Sequence, residues 1–497
     1  MASSRVVAAV LVVALVVVAS VAVYEVYFAN STPSCVILQG VTMQRSQTTK
    51  VSFGAVTEYD LPPPDRWPDA VTAAPDGSVW FAEQEVPGVA HLFPSNGTVV
   101  EYPWPGYTAP SPPDCVPSES SSGIALWNGK VWAADEFGNV LWGVNPSDGS
   151  TQVVNVTGKA DFPYWLSVGP DGALWFTSDD LPAVLGRIQT NYTLQIIPLD
   201  GMGNDEPLQL EFINASLAYM STINLTENST THGCVCNGHI YSFDPETAGQ
   251  VITPTRVGGD FNLQLPTSVA YSDGSLYVAQ HEAASVARFD FATGTWTEYP
   301  TSLVPWSPTT LPYVVETIGS NVWFNEHYAN KIALLNPTSG TLTEYSESNP
   351  PITNFDGVQN DVSIAPGGNN SLWFTSMSGN YLGYLNGGYD PGFEVQAVGT
   401  SSSSAAPGGT TSFDLSVTGT WTRAMGVNVS DSENPQSTPT AISITPSTSS
   451  IQPGTSPFNL EVNISVGQGV KPADYTVAVT VTNGEVQQTA YLFLDVT

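Results

Sequence analysis

Two dipeptides, His281-Glu282 and Glu326-His327, carry the titratable side chains best suited to chemistry in this chain. An imidazole beside a carboxylate can move a proton, or the two can join further oxygens in holding a divalent cation such as Mg or Ca. His281, Glu326 and His327 are therefore the candidate catalytic residues. Glu83, Asp135, Tyr164 and Tyr313 recur at matching places in a repeat and join them as candidate binding residues. The plainer alternative is that the carboxylates are solvated loop charges. A second cluster, His232-Gly-Cys-Val-Cys-Asn-Gly-His239, sets two thiols between two imidazoles, which would suit Cu or Zn. Against that, Cys35, Cys115, Cys234 and Cys236 make an even number, which in an exported chain favours two disulfides. A bond between Cys234 and Cys236 would close a strained ring, so each is expected to pair with Cys35 or Cys115. Neither G-x-S-x-G nor H-E-x-x-H occurs, and no Gly-rich phosphate loop precedes a helical pattern.

The elements that position these residues are best seen in Leu311 to Tyr345. An apolar run (Tyr313 to Ile318) is followed by a turn, an aromatic strand (Val322 to Asn325), a polar loop, a third strand, the turn Asn336 to Gly340 and a last strand ending Thr343-Glu344-Tyr345. The order recurs in Pro68 to Tyr102, Pro163 to Pro198 and Pro266 to Tyr299. Looser copies cover Ser122 to Val156, Leu208 to Pro254 and Val358 to Leu385. Four short strands per repeat of ~40–50 residues predict a seven-bladed β-propeller, in which stacked blades make the core. The seventh copy stops after its third strand. Ala55-Val56-Thr57-Glu58-Tyr59 carries the fourth-strand motif and is expected to close the ring.

The pieces P-x-x-V, DG-x-W-F and T-E-Y resemble those of the streptogramin lyase (virginiamycin B lyase) family over Val51 to about Leu385. The resemblance implies a seven-bladed propeller and an Mg-assisted elimination. It also implies a histidine after the proline of late blades and a glutamate closing the aromatic strand. Here the positions after proline hold Asp69, Tyr164, Thr267 and Tyr313. The glutamate stands at Glu83 and Glu326, but the last blade has Ser376.

With 45 acidic and 12 basic residues, the net charge of −33 argues against nucleic acid or an anionic membrane surface as a partner. Only 11% of residues are charged, which leaves a surface of Ser, Thr, Asn, Gly and Pro suited to an extracellular protein, or to an acidic medium. Val6 to Tyr24 is an uncharged run of about 19 residues, long enough to cross a bilayer, with Arg5 on its N-terminal side. It predicts one N-terminal transmembrane helix with the body of the protein outside; a cleaved signal peptide competes with it. Sequons at Asn96, Asn155, Asn191 and Asn214, among others, fit an exported glycoprotein.

From Phe393 apolar and polar residues alternate in strand-length runs, among them Thr411 to Val417, Asn459 to Val466 and Tyr475 to Thr482. They predict a β-sandwich, and Ala473 to Val477 resembles the late-strand motif of immunoglobulin-like modules. The expected organisation is residues 1–28 as anchor or signal, 29–50 as linker, 51–392 as propeller and 393–497 as sandwich. The expected function is a membrane-anchored cell-surface protein that binds cell-surface proteins or glycans at the channel mouth, with the sandwich extending it outward. The rivals are a metal-dependent lyase-like enzyme and a structural component of a surface layer.

Overall fold

The computed structural model describes residues 44–497 apart from 64–65, 85–87, 105–119, 226–236, 248–250, 260, 304–308, 349–360 and 432–441. Among these the structure is almost wholly β, with two 3-10 turns, Pro245–Thr247 and His281–Ala283. No helix among the described residues is long and apolar enough to cross a membrane. This corrects the expected fold class: what the structure carries is all-β, without the transmembrane helix, and Val6 to Tyr24 lies outside the described residues. All four cysteines also lie outside them, so the disulfide and Cu or Zn readings fall there too, and no disulfide is found among the described residues.

Seven antiparallel sheets follow one another, called blades 1 to 7. Their inner strands are Pro68–Ala73, Ser120–Trp127, Pro163–Val168, Glu206–Asn214, Pro266–Ser272, Pro312–Ile318 and Asp361–Gly368. Each touches the next and the seventh touches the first, so the sheets form a ring around a channel. The second strands, such as Val79–Glu83, Leu174–Ser178 and Ser371–Ser376, are buried along their whole length. Their aromatics are why. Trp80 packs with Val131 and Ala133 of blade 2, Trp175 with Leu210 and Met220 of blade 4, and Trp323 with Ile364 and Leu372 of blade 7. Each large ring removed from water contributes on the order of 2–3 kcal/mol, and neither neighbour could bury it alone. In the third strands a small residue makes room: a Cβ on Gly186 or Gly383 would lie 1.9 Å from the ring of Phe176 or Phe374.

Blade 7 takes its remaining strands from the start of the chain. Val56–Asp60 pairs antiparallel with Tyr381–Leu385, setting Val56 opposite Leu385, and Thr49–Phe53 folds back on it. Gln44–Gln47 then pairs with Thr98–Pro103, the outer strand of blade 1.

The C-terminal strands form two sheets around one apolar core that includes Val395, Leu415 and Val462 from one and Val477, Val479 and Leu492 from the other. This sandwich is not held at a distance from the ring. Its last strand, Val486–Val496, pairs antiparallel with Thr341–Ser346, the outer strand of blade 6, so blade and sandwich share one sheet. Tyr491 donates to the Pro300 carbonyl at 2.6 Å and meets the ring of Tyr299. An expected outward spacer is thereby replaced by a docked domain that covers an otherwise open sheet edge.

Candidate functional site

The P-x-x-V segment turns out to be a bulge. In blades 1, 3, 4, 5 and 6 the pairing between first and second strands slips just after the proline, at Pro68/Val71, Pro163/Leu166, Pro207/Leu210, Pro266/Ser268 and Pro312/Val315. Proline has no N–H to give to a ladder, and a bulge beside it re-aims the following side chain. The N–H groups freed by the bulge are met by a small polar side chain from the second strand. Trp165 N–H donates to Thr177 Oγ1 at 3.0 Å, Gln209 N–H to Ser221 Oγ at 3.2 Å and Val314 N–H to Asn325 Oδ1 at 2.7 Å. The same side chains reach the next blade: the Thr177 hydroxyl donates to Leu208 O at 2.6 Å, Ser221 to Thr267 O at 3.1 Å, and Asn325 Nδ2 to Asp361 O. Sequence reasoning missed this set. Its signal was the small polar residue one or two places after the aromatics in F-T-S, M-S-T and F-N-E.

A second device places the histidines. The residue before the proline in blades 1, 3, 5 and 6, namely Trp67, Phe162, Leu265 and Leu311, has φ of 52°, 53°, 48° and 50°. Such a conformation is strained for a bulky side chain. It turns each carbonyl towards the end of the second strand, where it accepts the N–H of Gln84, Asp179, His281 or His327 at 2.9–3.1 Å. His281 and His327 are thus fixed by their main chains at the mouth of the ring.

Four of the expected binding residues meet there. The hydroxyls of Tyr164 (blade 3) and Tyr313 (blade 6) hydrogen-bond to each other across the channel. The Tyr313 ring lies 5.1 Å from His327 and 5.8 Å from His281, and the two imidazoles are 5.7 Å apart, all edge to face. Thr267, the matching residue of blade 5, holds the Tyr313 carbonyl with a 2.6 Å hydrogen bond. His281 Nδ1 is paired with Glu282 at 3.0 Å. His327 Nδ1 is buried with no partner, and burial, followed by the neighbouring His281, pushes the imidazole down to about 3.

The other expected residues lie elsewhere. Glu326 is fully buried inside blade 6, with Oε2 3.8 Å from Lys331 Nζ, which bonds Glu344 at 3.0 Å. Burial and then the Glu344 charge hold Glu326 well above the usual carboxylate range. Glu83 is equally buried, near Arg66, which pairs with Glu101 at 2.8 Å. In blade 5 Gln280 plays this part, donating to Glu298 at 2.9 Å. The glutamate of T-E-Y is therefore the internal partner of the residue closing the aromatic strand. Asp135 accepts the Gly138 N–H at 2.8 Å, caps its own turn, and is raised to about 6 by burial. Sequence position put these carboxylates on the right face, but not the side of the strand on which they point.

The mouth is consequently an aromatic and imidazole surface with polar tips rather than a ring of carboxylates. Among the described residues no group of three or more His, Cys, Asp or Glu side chains is placed to hold a metal ion. The arrangement can stack against a flat apolar face and exchange hydrogen bonds through two phenols and two imidazoles.

No family model matches the chain, and no curated protein matches it in sequence. Among solved structures it is similar to a catalytically inactive histidine-to-alanine variant of virginiamycin B lyase from Staphylococcus aureus with quinupristin. That match has 19% identity and a TM-score of 0.50, and covers 66% of this chain and 98% of that one. A selenomethionine-substituted virginiamycin B lyase from the same organism matches at 19% identity over 70% of this chain and 99% of that one, with a TM-score of 0.49. A streptogramin B lyase matches at 21% identity over 67% and 97%, with a TM-score of 0.46. At these identities the likeness is one of fold, and the ring of sheets is a β-propeller similar to that of virginiamycin B lyase.

Proposed function

We propose that the protein is a binding module that takes a neutral glycan on the channel mouth, with Tyr164, Tyr313, His281 and His327 as its contact surface. The observation that carries this reading is the convergence of these four side chains from blades 3, 5 and 6 on one half-buried patch. Sugar rings present apolar C–H faces and a rim of hydroxyls, which aromatic faces with polar tips complement. The net charge of −33 disfavours anionic polymers. With His327 pushed down to about 3, the mouth keeps a neutral imidazole over the whole range from mildly acidic to neutral pH.

An exported, cell-surface setting goes with this reading. The sequence is sparse in charge, and the asparagines of the sequons at 96, 155, 191 and 214 are exposed. The sandwich is read as an immunoglobulin-like module whose role is to brace blade 6. The rival reading, metal-assisted elimination by His281, Glu326 and His327, is disfavoured because Glu326 is occupied inside its blade with Lys331 and Glu344.

Titration with chitotetraose and mannotetraose tests the proposal. Saturable binding of either to the intact chain, lost by at least ~10-fold in Tyr313→Ala, is expected, since removing an aromatic anchor typically costs ~2 kcal/mol or more. Binding that survives in both Tyr313→Ala and His281→Ala would place the contact elsewhere.

A further inference from the structure

Beyond the Tyr164–Tyr313 bridge, the channel widens into a cavity of about 340 Å³ between the inner strands. The bridge spans the channel at one mouth. The lining runs on to the far ends of the strands, where Val168 is 44% exposed, so the cavity opens on the opposite face. Its wall mixes polar side chains with apolar ones, the latter including Val71, Leu166, Leu210 and Ile364 from blades 1, 3, 4 and 7. Into that wall two carboxyls are set, Glu211 of blade 4 and Glu316 of blade 6. Burial first, and then the Glu211 charge, hold Glu316 up at about 8, while burial holds Glu211 at about 7.

No cationic side chain of the lining answers these carboxyls. Glu316 has no hydrogen-bond partner among the described residues, Glu211 accepts only a backbone N–H from Tyr271, and no lysine or arginine is among the residues lining the cavity. Two neighbouring polar side chains serve the backbone as acceptors: Gln209 Oε1 accepts the Val269 N–H at 2.6 Å and Ser363 Oγ accepts the Val71 N–H at 3.2 Å. Trp165 lines the same space and packs against the apolar clusters of blades 3 and 4 on one side and blades 6 and 7 on the other. Two half-buried acids beside an indole, with no cationic side chain in the lining, are costly to ionise unless a cation joins them.

We propose that this cavity binds a small organic ammonium ion, with Glu211 and Glu316 as its counter-charges and the indole of Trp165 packed against it. A bare divalent cation is a poorer fit, because Mg takes six and Ca six to eight oxygens, and this wall supplies few beyond the two carboxyls. An ammonium carrying an apolar body uses everything present: ion pairs to the carboxyls, a cation–π contact to the indole, and dispersion contact with the aliphatic side chains of the wall. The site is separate from the glycan surface, on the far side of the tyrosine bridge.

Benzylamine, which is cationic at pH 8, is the probe, with benzyl alcohol as its neutral counterpart and calcium chloride as the metal control. Calorimetry on the intact chain is expected to show one benzylammonium per chain, bound at least ~10-fold tighter than the alcohol, as a desolvated ion pair requires. The affinity should fall between pH 8 and pH 5 as Glu316 and Glu211, the two titratable groups of the lining, take up protons. Glu316→Gln and Glu211→Gln should each weaken the amine and leave the alcohol unchanged; should one variant fail to fold, the other and the wild-type comparison of amine with alcohol still decide. Equal binding of amine and alcohol, an amine affinity unmoved by either substitution, or binding of Ca²⁺ that benzylamine does not displace would each overturn the proposal.

Discussion

Titration of single side chains separates the histidines of this protein. His327 is pushed down to about 3 and His91, which stacks on Trp80 and bonds Ser78 at 2.6 Å, to about 4, in both cases chiefly by burial. Carbon-detected NMR of labelled histidine should therefore show both ring signals flat from pH 8 down to about 5; a midpoint near 6 at His327 would mean that its imidazole is not shut off from water. The residue scale is also where sequence was least informative. His281, His327, Tyr164 and Tyr313 were legible because recurrence set them at matching places around a ring, and main-chain bonds hold those places. Glu83 and Glu326 were not, because a strand end can aim its side chain at solvent or into the blade. Only the third partner decides, Arg66 in one case and Lys331 in the other. Several sequons have a local explanation too: Asn96, Asn155, Asn191 and Asn214 each accept the N–H of the residue two places on, at 2.9–3.0 Å, which is turn chemistry.

At the scale of the element, the inner strand and its bulge depend on the polar side chain that serves them. Thr177→Val keeps shape and burial but removes both the acceptor for Trp165 N–H and the donor to Leu208 O. Leaving two buried backbone groups unmet is expected to cost ~2–4 kcal/mol, read as a lower midpoint in urea unfolding with an unchanged slope. A change under ~0.5 kcal/mol would mean that water replaces the hydroxyl and that the bulge does not rely on it. The strands themselves were readable from aromatic and turn patterning, since P-D-G at Pro75 to Gly77 needs the φ of 82° that Gly77 adopts. The bulge was not readable, because it is a slip between two strands rather than a feature of one.

For the whole molecule, the ring is closed by a strand remote in sequence and one blade is extended by another domain. Removing residues 1–60 takes away Val56–Asp60 and bares the edge of Tyr381–Leu385. It should lower the unfolding temperature sharply or cause aggregation, whereas removing residues 1–43 should leave it unchanged; equal loss in both would contradict closure by this strand. The closing motif was visible as a displaced T-E-Y. The docking of the sandwich on blade 6 was not, because the pairing of Thr341–Ser346 with Val486–Val496 has no local signature.

Stability should also depend on pH in a direction set by the carboxyls. Burial raises Asp135 to about 6, Asp179 and Glu211 to about 7 and Glu316 to about 8. A carboxyl raised on folding contributes stability that is fully present below its ordinary value near 4 and is lost as pH climbs through the folded value. His91 and His327, being lowered, act oppositely, with stability present above about 6.5 and lost on the way down to about 4 and 3. Between pH 8 and pH 6.5 the raised carboxyls change more than the two histidines, whose unfolded forms only begin to protonate there, so stability rises on acidification. Calorimetry is expected to find the unfolding temperature higher at pH 6.5 than at pH 8; a higher value at pH 8 would show that these acids are solvated.

The claim that the channel mouth is the ligand surface is tested most directly by following the five histidines of the chain during titration with chitotetraose. Binding at the mouth predicts that the His281 and His327 signals move together and saturate at one ligand per chain, while His91 and His239, which lie in blades 1 and 4, stay still. Saturable binding that leaves His281 and His327 unmoved would contradict the account.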